Sequence, residues 1–188
     1  MDGFALFGKV LAVCAAGGSN ANDSTAVRFY NAATLEFAAK GGHPSPGVLR
    51  VQPVRPPLLR EKLEWRPISS KTLVPLGGQR FLVVVVAPSD GDAPDPSRTR
   101  AFLTDGSQGV NYRRDTWHQP VLTLGVPMDF VTLWAAPAQN ATATWCLSWA
   151  RSRCVWLCNP QLAVPACRRN SSVTCSASVT TSFFWLIR

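Results

Sequence analysis

An all-β fold, a barrel or sandwich of short antiparallel strands, is what this sequence predicts, and three observations carry it. Phe81-Leu82-Val83-Val84-Val85-Val86 is a β-branched run, too short for a typical helix and bounded by Gly77-Gly78 and Pro88. Such a run suits a strand buried on both faces. Shorter candidates follow at close spacing, Arg100–Thr104, Val121–Leu124 and Phe130–Trp134, with turn signals at Asp105-Gly106 and Gly109. Finally, no segment carries an amphipathic helical stripe, and there is no internal repeat.

Taken in order, the chain opens on an apolar segment, Gly3 to Val13. Asp2 stands where a signal peptide needs positive charge, and Gly8-Lys9 interrupts the apolar run. Val48-Leu49-Arg50-Val51 is a further candidate strand, whereas Pro53 to Pro57 holds too many prolines for a ladder interior. Ser89 to Pro96 is a turn-rich loop. Nowhere is there an uninterrupted apolar stretch of about 18 residues, so a membrane span is not expected.

The composition changes near position 130. All eleven acidic residues lie between Asp2 and Asp129, and the 59 residues that follow have none. Five of the six cysteines lie in that same tail: Cys146, Cys154, Cys158, Cys167 and Cys175. The organisation expected is one domain over residues 1–136 and, over 137–188, a poorly ordered Cys/Trp/Arg-rich tail that is not a second domain. The net charge of +8 divides accordingly: residues 1–129 carry fourteen Lys/Arg against eleven acids, and the tail carries five arginines and no acid. With its compact part close to neutral and lacking a basic stripe, the chain is not expected to bind nucleic acid. The cysteines and three Asn-X-Ser/Thr sites point weakly to secretion. A cytoplasmic protein with reduced cysteines is the expectation.

Several blocks in order resemble the ureidoglycolate lyase family. They begin with Phe7-Gly8-Lys9-Val10, Arg50-Val51-Gln52-Pro53, Lys62-Leu63-Glu64 and Val74-Pro75-Leu76-Gly77. After the Val-rich strand come Ala87-Pro88, Pro94-Asp95 and Arg100-Ala101-Phe102-Leu103. The most specific block is Gly106-Ser107-Gln108-Gly109-Val110-Asn111-Tyr112, followed by Thr116-Trp117-His118-Gln119-Pro120 and Asp129-Phe130. The likeness spans roughly residues 4–135 and is strongest over 73–134. It implies a cupin-type antiparallel β-barrel (a double-stranded β-helix or jelly roll) that works as a cytoplasmic homodimer. The activity it implies is that of a carbon–nitrogen (amidine) lyase, splitting ureidoglycolate into glyoxylate and urea in allantoin degradation.

For the site, the resemblance and the residue chemistry imply His118 as general base, with Glu64 the second candidate. A packed, hydrogen-bonded core histidine is the other reading of His118. Arg50 is a candidate fork for the substrate carboxylate, with Lys9 and Arg66 as substitutes. Asn111 and Tyr112 are candidate donors to the ureido group, with Trp117 beside them. Asn111, Gly106 and Gly109 also suit a tight turn.

By resemblance, His118 corresponds to a metal-ligating histidine of cupins, and a divalent transition metal of the nickel type is the implied cofactor. The family pattern reads Leu-Glu-Arg-His-Pro and then a Gln; here the residues are Leu63-Glu64-Trp65-Arg66-Pro67 and Lys71. Arg and Lys are cations and poor ligands for a divalent metal, so weak metal binding or none is expected. Two other functions fit the same residues: hydrolysis of the same substrate to ammonia and CO2, and a non-catalytic cupin that binds a small carboxylate.

Overall fold

The computed structural model describes residues 3–13, 18–30, 32–36, 42–55, 62–88, 93–136, 145–150, 153–157 and 184–186. These residues form strands and no helix. In chain order the strands begin with β1 (Gly8–Leu11), β2 (Ser19–Ala21), β3 (Ala26–Arg28), β4 (His43–Val51), β5 (Pro53–Val54) and β6 (Lys62–Trp65). Next come β7 (Lys71–Pro75), β8 (Phe81–Pro88), β9 (Pro94–Leu103), β10 (Gly109–Tyr112) and β11 (Trp117–His118). The last are β12 (Leu122–Leu124), β13 (Met128–Ala136), β14 (Trp145–Ala150), β15 (Arg153–Leu157) and β16 (Phe184–Leu186).

Two sheets hold nearly all of them. The first runs β1-β10-β7-β13-β4, every neighbour antiparallel. The second runs β15-β14-β6-β11-β8-β12-β5, with β9 also on β8 and β16 beside β9. Within it only β12–β5 and β16–β9 are parallel. The strands β2 and β3 form a separate hairpin. Three prolines fall on edge strands: Pro44 and Pro46 lie on β4, which ends the first sheet, and Pro53 lies on β5, which ends the described path of the second. There a missing N–H costs no ladder bond.

The sheets pack face to face. Leu73, Val110 and Phe130 of the first share one buried cluster with Phe81, Val83, Val85 and Phe102 of the second. Phe81 and Phe130 meet edge to face at 5.0 Å between ring centroids. The expected all-β, jelly-roll type of architecture is therefore present as a two-sheet sandwich in which each sheet keeps its own ladder. The Val-rich run is buried on both faces, as its composition predicts. Val83 and Val85 point into the sandwich, whereas Leu82 and Val84 pack outward against Leu122, and Val86 packs against Trp117 and Leu63.

Details differ from the sequence expectations. Gly106 does turn with φ +94°, and a Cβ there would lie 2.3 Å from the Gly78 carbonyl oxygen, so only glycine fits. Gly109 and Asn111, however, lie in β10 and not in a turn. The turn that leads into His118 is Arg113–Thr116, closed by the Thr116 N–H on the Arg113 carbonyl, with Asp115 at φ 65°. Strand β9 starts at Pro94, inside the segment that reads as a loop, while residues 89–92 lie outside the described residues. The segment after 136 contributes three strands to the second sheet, and β14 runs antiparallel beside β6. The remainder of that segment lies outside the described residues.

Candidate active site

The strand registers generate two rows of side chains that face each other across the sandwich. In the first sheet Gly8, Tyr112, Lys71 and Trp134 are consecutive cross-strand partners on β1, β10, β7 and β13. In the second sheet Val85, His118 and Glu64 are partners on β8, β11 and β6. Strand alternation fixes which way they point, because Lys71 is two residues from the core residue Leu73 and Tyr112 two from Val110. His118 lies opposite the core residue Val85 and carries Glu64 inward with it.

Where the rows meet, Glu64 Oε2 lies at the centre of the cluster. Lys71 Nζ donates to it at 2.9 Å, His118 Nε2 lies 3.5 Å away and Arg66 Nη2 3.7 Å away. Side-chain exposure is 1% for His118, 8% for Lys71, 11% for Arg66 and 18% for Glu64, so the imidazole is deepest and the carboxylate is nearest solvent. Tyr112 stacks on His118 with 4.2 Å between ring centroids. The Arg66 guanidinium lies over the Trp134 ring at 4.4 Å, a cation–π contact that holds the charge beside the cluster.

Backbone anchors set the geometry. The Asp115 N–H donates to the Arg66 carbonyl at 3.1 Å, and Thr116 Oγ1 donates to the Phe7 carbonyl at 3.0 Å. The turn before His118 is thus tied both to the segment that carries Arg66 and to the segment entering β1. His118 Nδ1 lies 2.8 Å from the Thr116 carbonyl oxygen, which can only accept. The proton of a neutral imidazole therefore sits on Nδ1, and Nε2 presents a lone pair to the cluster. Nε2 and the Tyr112 hydroxyl are both buried and have no hydrogen-bond partner among the described residues.

The environment sets the charges. Burial pushes His118 below its ordinary pKa and Lys71 adds to this, more than the Glu64 contact restores, so the imidazole is neutral near pH 7. Burial alone would raise the Glu64 carboxyl. The Lys71 ammonium, which donates to the carboxylate at 2.9 Å, outweighs it and holds the carboxyl well below the usual carboxylate range. Tyr112 is driven well above its ordinary value by burial and then by the Glu64 charge, so it keeps its proton and can donate it in a hydrogen bond.

Of the candidates read from sequence, the structure brings together His118, Glu64, Arg66 and Tyr112. Asn111 points to the opposite face of β10, where its amide bonds Thr72 Oγ1 at 2.8 Å and the Thr34 carbonyl at 3.2 Å. Lys9 is its cross-strand partner and shares that outer side. Arg50 is exposed and forms a two-bonded pair with Asp129, each bond 2.8 Å. Trp117 packs on the outer face of the second sheet, stacked on Trp65 at 5.6 Å. Sequence reasoning did not single out Trp134, and it noted Lys71 only as a departure from the family pattern. Period-two alternation back from Leu73 was the signal that could have placed Lys71 inside.

The donor set does not suit a divalent metal. Around Glu64 Oε2 stand one neutral imidazole nitrogen and two cations, with the Lys71 ammonium already in hydrogen-bond contact with that oxygen. No group of three His, Cys, Asp or Glu side chains able to hold a metal occurs among the described residues.

The family model described as Ureidoglycolate lyase matches residues 1–148. This chain belongs to the ureidoglycolate lyase family. It is 39% identical to the ureidoglycolate lyase of Burkholderia cepacia over 130 residues, 69% of this chain and 72% of that one. It is equally similar, 39% over 132 residues, to that of Pseudomonas aeruginosa, covering 70% of this chain and 77% of the relative. RmlC from Streptococcus suis, solved with dTDP-D-xylose, aligns over 52% of this chain and 46% of its own at 14% identity and a TM-score of 0.37. That likeness is too distant to bear on the fold, which rests on the strand ladders themselves. The family is one of lyases, so the cluster between the sheets belongs to an enzyme.

Proposed function

We propose that this protein cleaves ureidoglycolate to glyoxylate and urea without a metal, with His118 as the base. The observation that carries the reading is the buried, unpartnered His118 Nε2 facing a carboxylate and two cations in a chain of this family. Ureidoglycolate is a hemiaminal: one carbon bears a hydroxyl, a ureido nitrogen and a carboxylate. Breaking its C–N bond requires a base for the hydroxyl proton, and a neutral imidazole with its lone pair inward meets that need. Arg66, held over Trp134, is the cation that receives the substrate carboxylate. The Tyr112 hydroxyl donates to the ureido oxygen. Glu64 fixes the two cations and the imidazole relative to one another.

A product assay on the purified protein tests this. Urea and glyoxylate in equal amounts, undiminished after exhaustive chelation, are expected. Ammonia in place of urea would select the hydrolase, and glyoxylate binding without turnover would select the non-catalytic cupin. Loss of activity on chelation, restored by nickel, would overturn the metal-free reading.

The protein is further proposed to act as a cytoplasmic homodimer in allantoin breakdown, binding neither nucleic acid nor membrane. Support for pairing comes from an exposed apolar row of cross-strand partners, Val48, Val131 and Val74, on the outer face of the first sheet. Sedimentation at micromolar concentration should give a dimer that Val131→Asp dissociates. For the membrane question, no helix among the described residues is long and apolar enough to cross one. Cell fractionation checks the compartment.

A further inference from the structure

Lys71 occupies a place where the family pattern has Gln, and it brings to the cluster a proton as well as a charge. Its ammonium lies 2.9 Å from the same Glu64 oxygen that His118 Nε2 approaches at 3.5 Å. The two nitrogens are therefore no more than about 6.4 Å apart, a span that a hemiaminal O–C–N unit with one hydrogen bond at each end can bridge. We propose that Lys71 is the general acid of the reaction: its ammonium protonates the departing ureido nitrogen while His118 takes the hydroxyl proton. The inference rests on His118 being the base.

The chemistry requires such a donor, because a ureido nitrogen leaving as an anion is far too basic to depart unaided. The other donors at the cluster are poorly suited. A guanidinium does not give up its proton, which excludes Arg66. The Tyr112 phenol, made a weaker acid by burial, is no better. In the step, the O–H electron pair becomes the second C–O bond of glyoxylate as the C–N pair leaves on nitrogen. Nζ supplies the proton that completes urea, and Nε2 holds the proton taken from oxygen. The enzyme is left as imidazolium and neutral amine. Since an imidazolium is a stronger acid than an alkylammonium, the proton runs downhill from Nε2 through Glu64 Oε2 to Nζ, and the resting state returns.

Two substrates separate this role from a structural one: ureidoglycolate, and the glyoxylate adduct of a nitrophenylurea, bonded through its aryl-bearing nitrogen, which leaves with little help. Lys71→Met should lose roughly 10²- to 10⁴-fold in kcat on ureidoglycolate but less than about tenfold on the aryl adduct. Should the methionine variant fail to fold, Lys71→Arg keeps the charge on Glu64, cannot donate, and is expected to show the same selective loss. If the aryl group does not fit, the nitrogen-15 isotope effect on ureidoglycolate cleavage reads the same property and should rise in the variant. An equal loss on both substrates, no loss on either, or an unchanged isotope effect would overturn the proposal. His118→Ala should impair both substrates; retained activity on both would sink the base assignment, whatever Lys71→Met does.

Discussion

Tyr112 and His118, on strands of opposite sheets, lie ring over ring with planes 16° apart and centroids 4.2 Å apart. The stack ties His118 to the first sheet, just as the Lys71–Glu64 bond at 2.9 Å ties the two sheets one strand further along. Both crossings join the same two cross-strand rows, so the buried polar cluster is also a seam of the sandwich. Substitutions there should divide cleanly only where a polar atom has no partner in the folded protein.

Tyr112→Phe is such a case. The hydroxyl is buried without a partner among the described residues, so removing it relieves a desolvation cost and keeps the ring stack. Stability should be unchanged or raised by up to about 1 kcal/mol. If the hydroxyl donates to substrate, kcat/KM should fall by about tenfold, the worth of one neutral hydrogen bond. Thermal melts and initial rates on one sample check both; unchanged kinetics would remove Tyr112 from the site.

Acid should affect activity and stability in the same direction. His118 has a folded pKa below its ordinary 6.5, so its imidazole stays neutral to lower pH than a free histidine; with His118 as the proposed base, the acid limb of kcat/KM should lie below pH 6.5. Below about pH 6.5 the unfolded chain binds a proton at His118 that the folded chain does not, so stability falls as pH drops toward the folded value. Glu64 acts in the same sense below its ordinary 4.5, its folded value being lowered too. Chemical denaturation at stepped pH should show the loss, and an acid limb above pH 6.5 would contradict the placement of His118.

The fold was legible because its strongest signals were local. The β-branched Val83–Val86 run needs two apolar faces, and the structure gives it both. At the site, residue chemistry alone was less informative. Arg50 and Lys9 are plausible carboxylate binders by type, yet strand alternation turns Lys9 outward and register pairs Arg50 with Asp129. Asn111 suits a turn by residue type and by the glycines near it. Placing it instead required the pairing of β10 with β7, a long-range register that no short window encodes. The contact of Lys71 with Glu64 arises because the chain crosses from one sheet to the other between β6 and β7.

Asn111→Ala and Arg50→Ala separate those outward roles from catalysis. Loss of the Asn111 amide leaves the Thr72 hydroxyl and the Thr34 carbonyl short of a partner, at a cost of about 1–3 kcal/mol. The kcat/KM of the folded Asn111→Ala protein should be within about twofold of the unaltered enzyme. Arg50→Ala should leave turnover unchanged, since its pair with Asp129 is exposed and on the far side of the sheet. A large kinetic defect in either variant, with normal stability, would mean that the substrate reaches the outer face.

His118→Ala puts the largest claim at risk. With only catalysis at stake, truncating a general base would lower turnover by roughly 10²- to 10⁴-fold and leave the melt unchanged. The structure predicts a compound effect, because His118 also donates Nδ1–H to the Thr116 carbonyl and packs under Tyr112 in a fully buried position. Stability should therefore fall as well, by about 1–3 kcal/mol for the lost hydrogen bond before any cavity cost. His118→Gln, which keeps an amide donor and most of the volume, should recover much of that stability and none of the turnover. The comparison is made at a temperature where all three proteins remain folded by circular dichroism. If His118→Gln regains activity in step with stability, His118 is a packing residue and the base lies elsewhere in the cluster.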